Sequence, residues 1–272
     1  MTVAIAASCT IDNEPAVVLC FDRKVSTEKW SSETEFKIEG LAGGFVAIFA
    51  GNISQARELI ATYRDHFRSN LIDMMHKEGI QDDLRAPLGK RKRMMVEALV
   101  QRRLGLTYEE FLDRGEQIDA SLRASIFNAI DELSIEVELI IVGFRYKTED
   151  EQGKPIHPFP LFRIAWGDVE THRNFTCIGA GASAAEHMLH RREQSINRSP
   201  IETIYNVYEA KKFSELAPSV GQQTILVICN PAGLLRGITT EGLAWLDRHY
   251  QENSPRPVSI QLPEGGLGRI FE

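Results

Sequence analysis

The sequence is poor in cysteine, and its cysteines show none of the close spacing that is typical of metal sites. The four lie in or beside apolar segments: Cys9, Cys20, Cys177 and Cys229. Structural zinc sites bring cysteine and histidine together in short, regular spacings, which these four residues lack. We therefore predict buried, reduced thiols in a cytoplasmic protein, without a metal or any other cofactor.

Long apolar runs and an excess of positive charge are also missing. No segment approaches the roughly 18 consecutive apolar residues of a membrane span, and the first residues lack the basic start of a secretory signal. Lys and Arg number 31 against 38 Asp and Glu, giving a net charge of −7, which argues against nucleic acid as the partner. The basic run at 90–93 precedes apolar residues at helical spacing, which favours a solvated helix face over a binding patch.

Two weak motifs allow other functions. Gly179-Ala180-Gly181 follows a predicted strand and opens a helix, as in a dinucleotide fingerprint, but a second helix follows where that fold needs a parallel strand. Glu186, His187 and His190 share one helix and could ligate a metal. A tight turn and an ordinary surface helix are the interpretations that we favour. We expect no nucleotide site and no metal site.

Short apolar runs at the beginning and end of the chain predict strands, and periodic segments between them predict helices. The predicted strands are 1–7, 16–24, 35–39, 44–51, 137–146, 159–166, 171–178, 224–229 and 235–239. The predicted helices are 53–79, 84–104 with an interruption at Pro87, 117–133, 182–192, 201–216 and 241–251. Such grouping excludes simple βαβ alternation and favours an α+β fold of two stacked antiparallel sheets with helices outside. The first two strands form a hairpin, so the beginning of the chain is expected to be buried.

The order of several short segments resembles the proteasome β-type subunits and their bacterial relatives, the threonine peptidases with an N-terminal nucleophile. The matching segments are Thr2-Val3-Ala4-Ile5, Val17 to Arg23, Phe36-Lys37-Ile38, Phe49-Ala50-Gly51, Gly179-Ala180-Gly181 and Thr224 to Ile228. The resemblance implies one domain over 1–272 with a four-layer αββα sandwich and a helical insertion at about 105–120. It also implies a ring-like homo-oligomer and leaves open a regulatory ATPase partner. The prolines and glycines near the end of the chain predict a loose tail from about 253. The apolar stripe at 94–104 is a candidate contact surface.

The chemistry of such a site centres on Thr2. A threonine hydroxyl needs a base to take its proton, and a free α-amine on the same residue, with a pKa of about 8, can serve. Thr2 gains that amine only if Met1 is removed. The resemblance assigns Asp22 as the carboxylate, Gly51 as the oxyanion donor and Ser219 as a supporting residue. It also implies a lysine ammonium, which Lys37 or Lys24 could supply in this chain.

Two functions follow from these residues. The first is a proteasome-type threonine amidohydrolase or peptidase that cleaves peptide or amide bonds. The second is a catalytically inactive shell or partner-binding protein on the same fold, in which Thr2 is an ordinary first-strand residue. A retained Met1 would separate the two, because it removes the amine base from Thr2.

Overall fold

The computed structural model describes residues 2–12, 14–26, 31–33, 36–76, 80–143, 148–149, 155–156, 161–230 and 235–253. The predicted tail after Asn253 and the end of the predicted helix 53–79 lie outside these residues. Met1 also lies outside them. Two compact units are present, Met1–Ile238 and Thr239–Glu272.

Strands form most of the first unit. The first six are β1 (Val3–Ile11), β2 (Glu14–Asp22), β3 (Lys24–Ser26), β4 (Ser31–Glu33), β5 (Ile38–Gly40) and β6 (Val46–Gly51). The others are β7 (Val137–Val142), β8 (Thr148–Glu149), β9 (Pro155–Ile156), β10 (Leu161–Ala165), β11 (Asp168–His172), β12 (Phe175–Gly179), β13 (Thr224–Cys229) and β14 (Leu235–Gly237).

Seven α-helices occur in the described residues. They are α1 (Ile53–His76), α2 (Ile80–Leu104), α3 (Tyr108–Asp113), α4 (Ala120–Asp131), α5 (Ala182–Arg191), α6 (Pro200–Ser214) and α7 (Thr240–Asn253). The last of these is the described part of the second unit. Within these same ranges, no helix is both long enough and apolar enough to span a bilayer.

Two five-stranded antiparallel sheets form the centre of the first unit. The first sheet has the order β12-β1-β2-β13-β14, and the second has the order β11-β10-β7-β6-β5. The predicted hairpin is confirmed, since β1 pairs with β2 from Ala4 opposite Phe21 to Ile11 opposite Glu14. Thr2 and all of Val3 to Cys9 are buried, so the beginning of the described chain lies inside the fold.

Side chains that alternate along the strands fill the space between the sheets. Ala4, Ala6 and Leu19 from the first sheet meet Ile48 and Ile140 from the second in one buried cluster. The helices α5 and α6 cover the other face of the first sheet, whereas α1 and α2 cover the second. The predicted α+β sandwich of two stacked antiparallel sheets flanked by helices is therefore confirmed.

Two details of the sequence prediction are wrong. The expected single strand at 171–178 is two strands, because β11 pairs with β10 in the second sheet and β12 pairs with β1 in the first. Both strands are extended, so the local pattern does not mark the change of sheet. The helix α2 also continues through Pro87, which is buried in its interior. A proline removes one backbone donor, and packing of Ile80, Leu84 and Leu88 in the core stabilises the helix nonetheless.

The segment predicted as an insertion, 105–120, contains α3 and packs against α2. Thr107 caps α3 with a full capping box, in which its hydroxyl accepts from Glu110 N–H. Val100 of α2 is buried with Phe111 and Ile126 in a small cluster of their own. Part of the apolar stripe at 94–104 therefore serves packing within the chain.

One glycine provides a direct test of the packing of α1 on the second sheet. Gly143 is buried at the end of β7, and a Cβ there would lie 1.8 Å from the Phe45 ring. That ring is held by Phe67, whose centroid is 4.7 Å away. We expect Gly143→Ala to lower the free energy of unfolding by about 1–3 kcal/mol through overpacking, measured as the urea midpoint. Gly237→Ala, where a Cβ meets nothing within 4 Å, is the control and should leave the midpoint nearly unchanged. Equal effects of the two substitutions would contradict this packing.

Candidate active site

Three strand ends bring Thr2, Asp22 and Lys37 together. Thr2 directly precedes β1, Asp22 is the last residue of β2, and the β1–β2 register places the two ends side by side. Lys37 directly precedes β5 in the second sheet, and its carbonyl accepts a hydrogen bond from Phe49 N–H at 3.2 Å. The cluster therefore joins the two sheets at one edge of the sandwich.

The three side chains are hydrogen-bonded to one another. The Thr2 hydroxyl donates to Asp22 Oδ1, and Lys37 Nζ donates to Thr2 Oγ1. Lys37 Nζ also lies 2.5 Å from Asp22 Oδ1 and donates to the Lys24 carbonyl at 2.6 Å. The threonine hydroxyl is thus held between a carboxylate that accepts its hydrogen bond and an ammonium that donates to its oxygen.

This cluster is buried. Asp22 is fully buried, and Thr2 and Lys37 are each 3% exposed. Removing two charges from water costs several kcal/mol per ion unless the pair is close and its remaining polar atoms are hydrogen-bonded. Asp22 meets that requirement at both oxygens, because Gly221 N–H donates to its Oδ2 at 2.7 Å. The pair is therefore fixed in position as well as neutral overall.

A second buried lysine supports the turn that contacts Asp22. Lys211 of α6 is fully buried, and its Nζ donates to the Gly221 carbonyl at 2.8 Å and to Glu215 Oε1 at 2.5 Å. Gly221 thus accepts from Lys211 on one side and donates to Asp22 on the other. The sequence gives no sign of this support, since Lys211 looks like a surface residue next to Lys212.

The structure places the two candidate lysines differently. Lys37 Nζ is in the buried cluster, whereas Lys24 Nζ donates to the Pro218 carbonyl at 3.0 Å. Lys24 contributes to the cluster through its backbone oxygen instead. Ser219 lies in the turn between α6 and β13, where the hydrogen bond to Asp22 comes from the Gly221 backbone. Of the five predicted residues, Thr2, Asp22 and Lys37 therefore share one hydrogen-bonded cluster.

The Gly-x-Gly turn holds the backbone of Thr2. Gly181 N–H donates to the Thr2 carbonyl at 3.4 Å. Gly179 has a φ of +86°, and a Cβ there would lie 2.3 Å from the Thr2 oxygen. Any larger residue at 179 would both strain the backbone and push Thr2 out of place. This turn therefore positions the backbone of Thr2.

A cavity of about 420 Å³ opens beside Thr2. Its wall includes Thr2, Ala50, Gly51, Trp166, Gly179 and Ala180. Gly51 ends β6 with a φ of +104°, and a Cβ there would lie 2.3 Å from the Glu136 oxygen. The predicted oxyanion residue and the Gly-x-Gly turn thus border the same space as the threonine. Sequence reasoning did not identify Trp166, which it assigned to the end of a strand.

The cysteines and histidines do not form a competing site in the described residues. All four cysteines are free and buried, and burial raises the pKa of the Cys20 thiol to about 12 and that of Cys9 to about 11. Thiols with such pKa values are protonated at neutral pH and are poor nucleophiles. No group of three or more His, Cys, Asp or Glu side chains suited to a metal occurs in the part of the chain that is described.

The buried ion pair can be tested by its stability. Lys37→Met leaves Asp22 without its charge partner, and breaking a buried pair in this way costs about 3–5 kcal/mol. We expect Lys37→Met to lower the urea midpoint strongly and the double variant Asp22→Asn, Lys37→Met to recover part of the loss. Lys24→Met is the control, with a midpoint near that of the original chain. A Lys24→Met effect as large as that of Lys37→Met would contradict the assignment of Lys37.

Comparisons with known proteins do not assign a function to this site. The chain matches no protein-family model and no curated protein sequence. The buried Thr2, Asp22 and Lys37 side chains, together with the adjoining cavity, are the observations on which a function can be argued.

Proposed function

We propose that the chain is a threonine amidohydrolase or peptidase of the proteasome type, with Thr2 as its N-terminal nucleophile. The observation that supports this best is the buried contact of the Thr2 hydroxyl with Asp22 and Lys37 beside an open cavity. An ordinary threonine in a first strand requires no buried ammonium at its hydroxyl oxygen. Activation of a hydroxyl nucleophile requires such charged neighbours.

In the proposed reaction, Thr2 Oγ1 attacks the carbonyl carbon of a peptide or amide bond. Its proton passes to the α-amine of Thr2, and Lys37 stabilises the negative charge that develops on Oγ1. A backbone N–H at Gly51 binds the oxyanion. Collapse of the intermediate breaks the C–N bond, and the leaving amine takes the proton from the α-amine. Water then hydrolyses the Thr2 ester and returns the proton to Oγ1.

This reaction requires Thr2 to be the first residue of the mature chain. In a chain that retains Met1, the Thr2 nitrogen is part of a peptide bond and cannot act as the base. The alternative, an inactive shell or partner-binding protein, has the same fold and keeps that peptide bond. The pocket beside Thr2 favours the enzyme, because a purely structural cluster gains nothing from an adjoining cavity.

Substitution of the nucleophile tests the reaction. We expect Thr2→Ala to lower kcat/KM for hydrolysis of short fluorogenic peptide amides by at least about a thousandfold, because no hydroxyl remains to form the ester. Thr2→Ser keeps a hydroxyl at the same position and should retain measurable turnover. Both variants should unfold near the midpoint of the original chain. Equal hydrolysis by Thr2→Ala and the original chain would end the proposal.

We also propose that the chain assembles as a ring-like homo-oligomer in the cytoplasm. The support is the resemblance to ring-forming subunits together with exposed apolar side chains such as Met94, which is 50% exposed. Leu99 and Val100 are buried within the chain and are unsuited to such a contact. Light scattering at micromolar concentration should give a mass several times that of one chain. A monomeric mass would refute the proposal.

A further inference from the structure

Trp166 lies at the cavity beside Thr2 and is the most exposed large apolar residue of those described. It is 88% exposed, although tryptophan is buried to a large extent in most proteins. It also lines the same cavity as Thr2 and Ala180. An exposed indole at a cavity contributes little to the stability of the hydrophobic core. Packing within the fold therefore does not explain a tryptophan at this position.

The backbone at Trp166 is also in an unfavourable conformation. Ala165 pairs with Asp168, so Trp166 and Gly167 form a two-residue turn between β10 and β11. Their φ angles are +57° and +86°. Two-residue turns with positive φ at both positions favour Asn-Gly, whereas a bulky residue at the first position is rare. Neither the turn nor the core favours tryptophan here, and such outliers cluster where a ligand is held.

The rest of the cavity wall is predominantly apolar. Ala50, Ile135 and Val137 contribute to it, and Glu136 and Glu138 are also lining residues. Glu138 is held in place, because its Oε2 accepts from Gly179 N–H at 2.5 Å and its Oε1 lies 3.8 Å from Arg163. A charged acidic side chain would lose its hydration in such an apolar space, which disfavours its binding there.

We infer that this cavity binds a large apolar or aromatic side chain of the substrate beside the bond that Thr2 attacks, with Trp166 packing against that side chain. This inference rests on the proposed function and names its substrate class. The cavity volume of about 420 Å³ is ample for one such side chain. An indole face supplies a large rigid contact for an aromatic ring, and the apolar wall disfavours a charged acidic side chain.

Trp166→Asn separates binding from folding. Asn-Gly is the preferred sequence for this turn, so the variant should unfold at a midpoint equal to or above that of the original chain. The binding experiment uses chains that carry Thr2→Ala. The probe is an acetylated pentapeptide amide with phenylalanine at its centre and alanine at the other four positions, and calorimetry measures its Kd. We expect Trp166→Asn to raise that Kd at least about tenfold, since the aromatic contact is lost. Trp245→Phe, in α7, is the control and should leave the Kd unchanged.

A second arm uses chains that keep Thr2. We expect the original chain to hydrolyse the phenylalanine peptide amide at least about tenfold faster in kcat/KM than a matched peptide with aspartate at the same place. Trp166→Asn should reduce this preference by lowering the value for phenylalanine.

The outcomes distinguish the two proposals. Binding that depends on Trp166 without hydrolysis by any variant supports this inference and refutes the proposed function. Hydrolysis that depends on Thr2 without any effect of Trp166→Asn refutes this inference and leaves the function standing. Absence of binding by the Thr2→Ala chain, together with equal hydrolysis of both peptides, also overturns the inference.

Discussion

The buried ion pair between Lys37 and Asp22 is the interaction on which the arrangement of the candidate site depends. Its two members lie at the ends of strands from different sheets, so the pair links the two sheets beside the apolar cluster that packs between them. Each charge is stabilised only while the other is in place, because burying a charge without a partner has a large free-energy cost. The Gly221 N–H and the Lys24 carbonyl complete the hydrogen bonding around the pair.

The same interaction links the fold to chemistry. Replacing a buried ion pair by apolar residues is often neutral or stabilising, so stability alone does not account for one. Here the pair contacts the hydroxyl of Thr2, and the backbone of Thr2 is held by Gly181 N–H. Preorganised charge around a hydroxyl is what nucleophilic catalysis needs, since no reorganisation is then required as charge develops. Thr2 also lines the adjoining cavity, through which the substrate of the proposed reaction would reach it.

The sequence predicts the sheets well because their signals are local. Alternating and continuous apolar runs mark β1, β2, β6 and β13, and these strands lie close to the predicted boundaries. The same signals do not show which sheet a strand joins, and the segment 171–178 was therefore assigned to one strand when it contributes to both sheets. Long-range pairing depends on the whole set of strands, which a local pattern does not contain.

The candidate site was predictable in part. The resemblance supplied Thr2, Asp22 and Gly51, and the hairpin register explains why the first two lie side by side. Spacing could not decide between Lys24 and Lys37, because the direction of each side chain depends on the neighbouring sheet. The roles of Lys211 and Trp166 depend on contacts between distant segments, and neither residue belongs to a recognisable motif.

The central claim is that a free Thr2 amine serves as the base for its own hydroxyl. Intact-mass spectrometry of the purified protein, with sequencing of its first peptide, tests this claim most directly. We predict a mature chain that begins at Thr2 with an unmodified amine. A mature chain that retains Met1, or that carries a blocked Thr2 nitrogen, would contradict it.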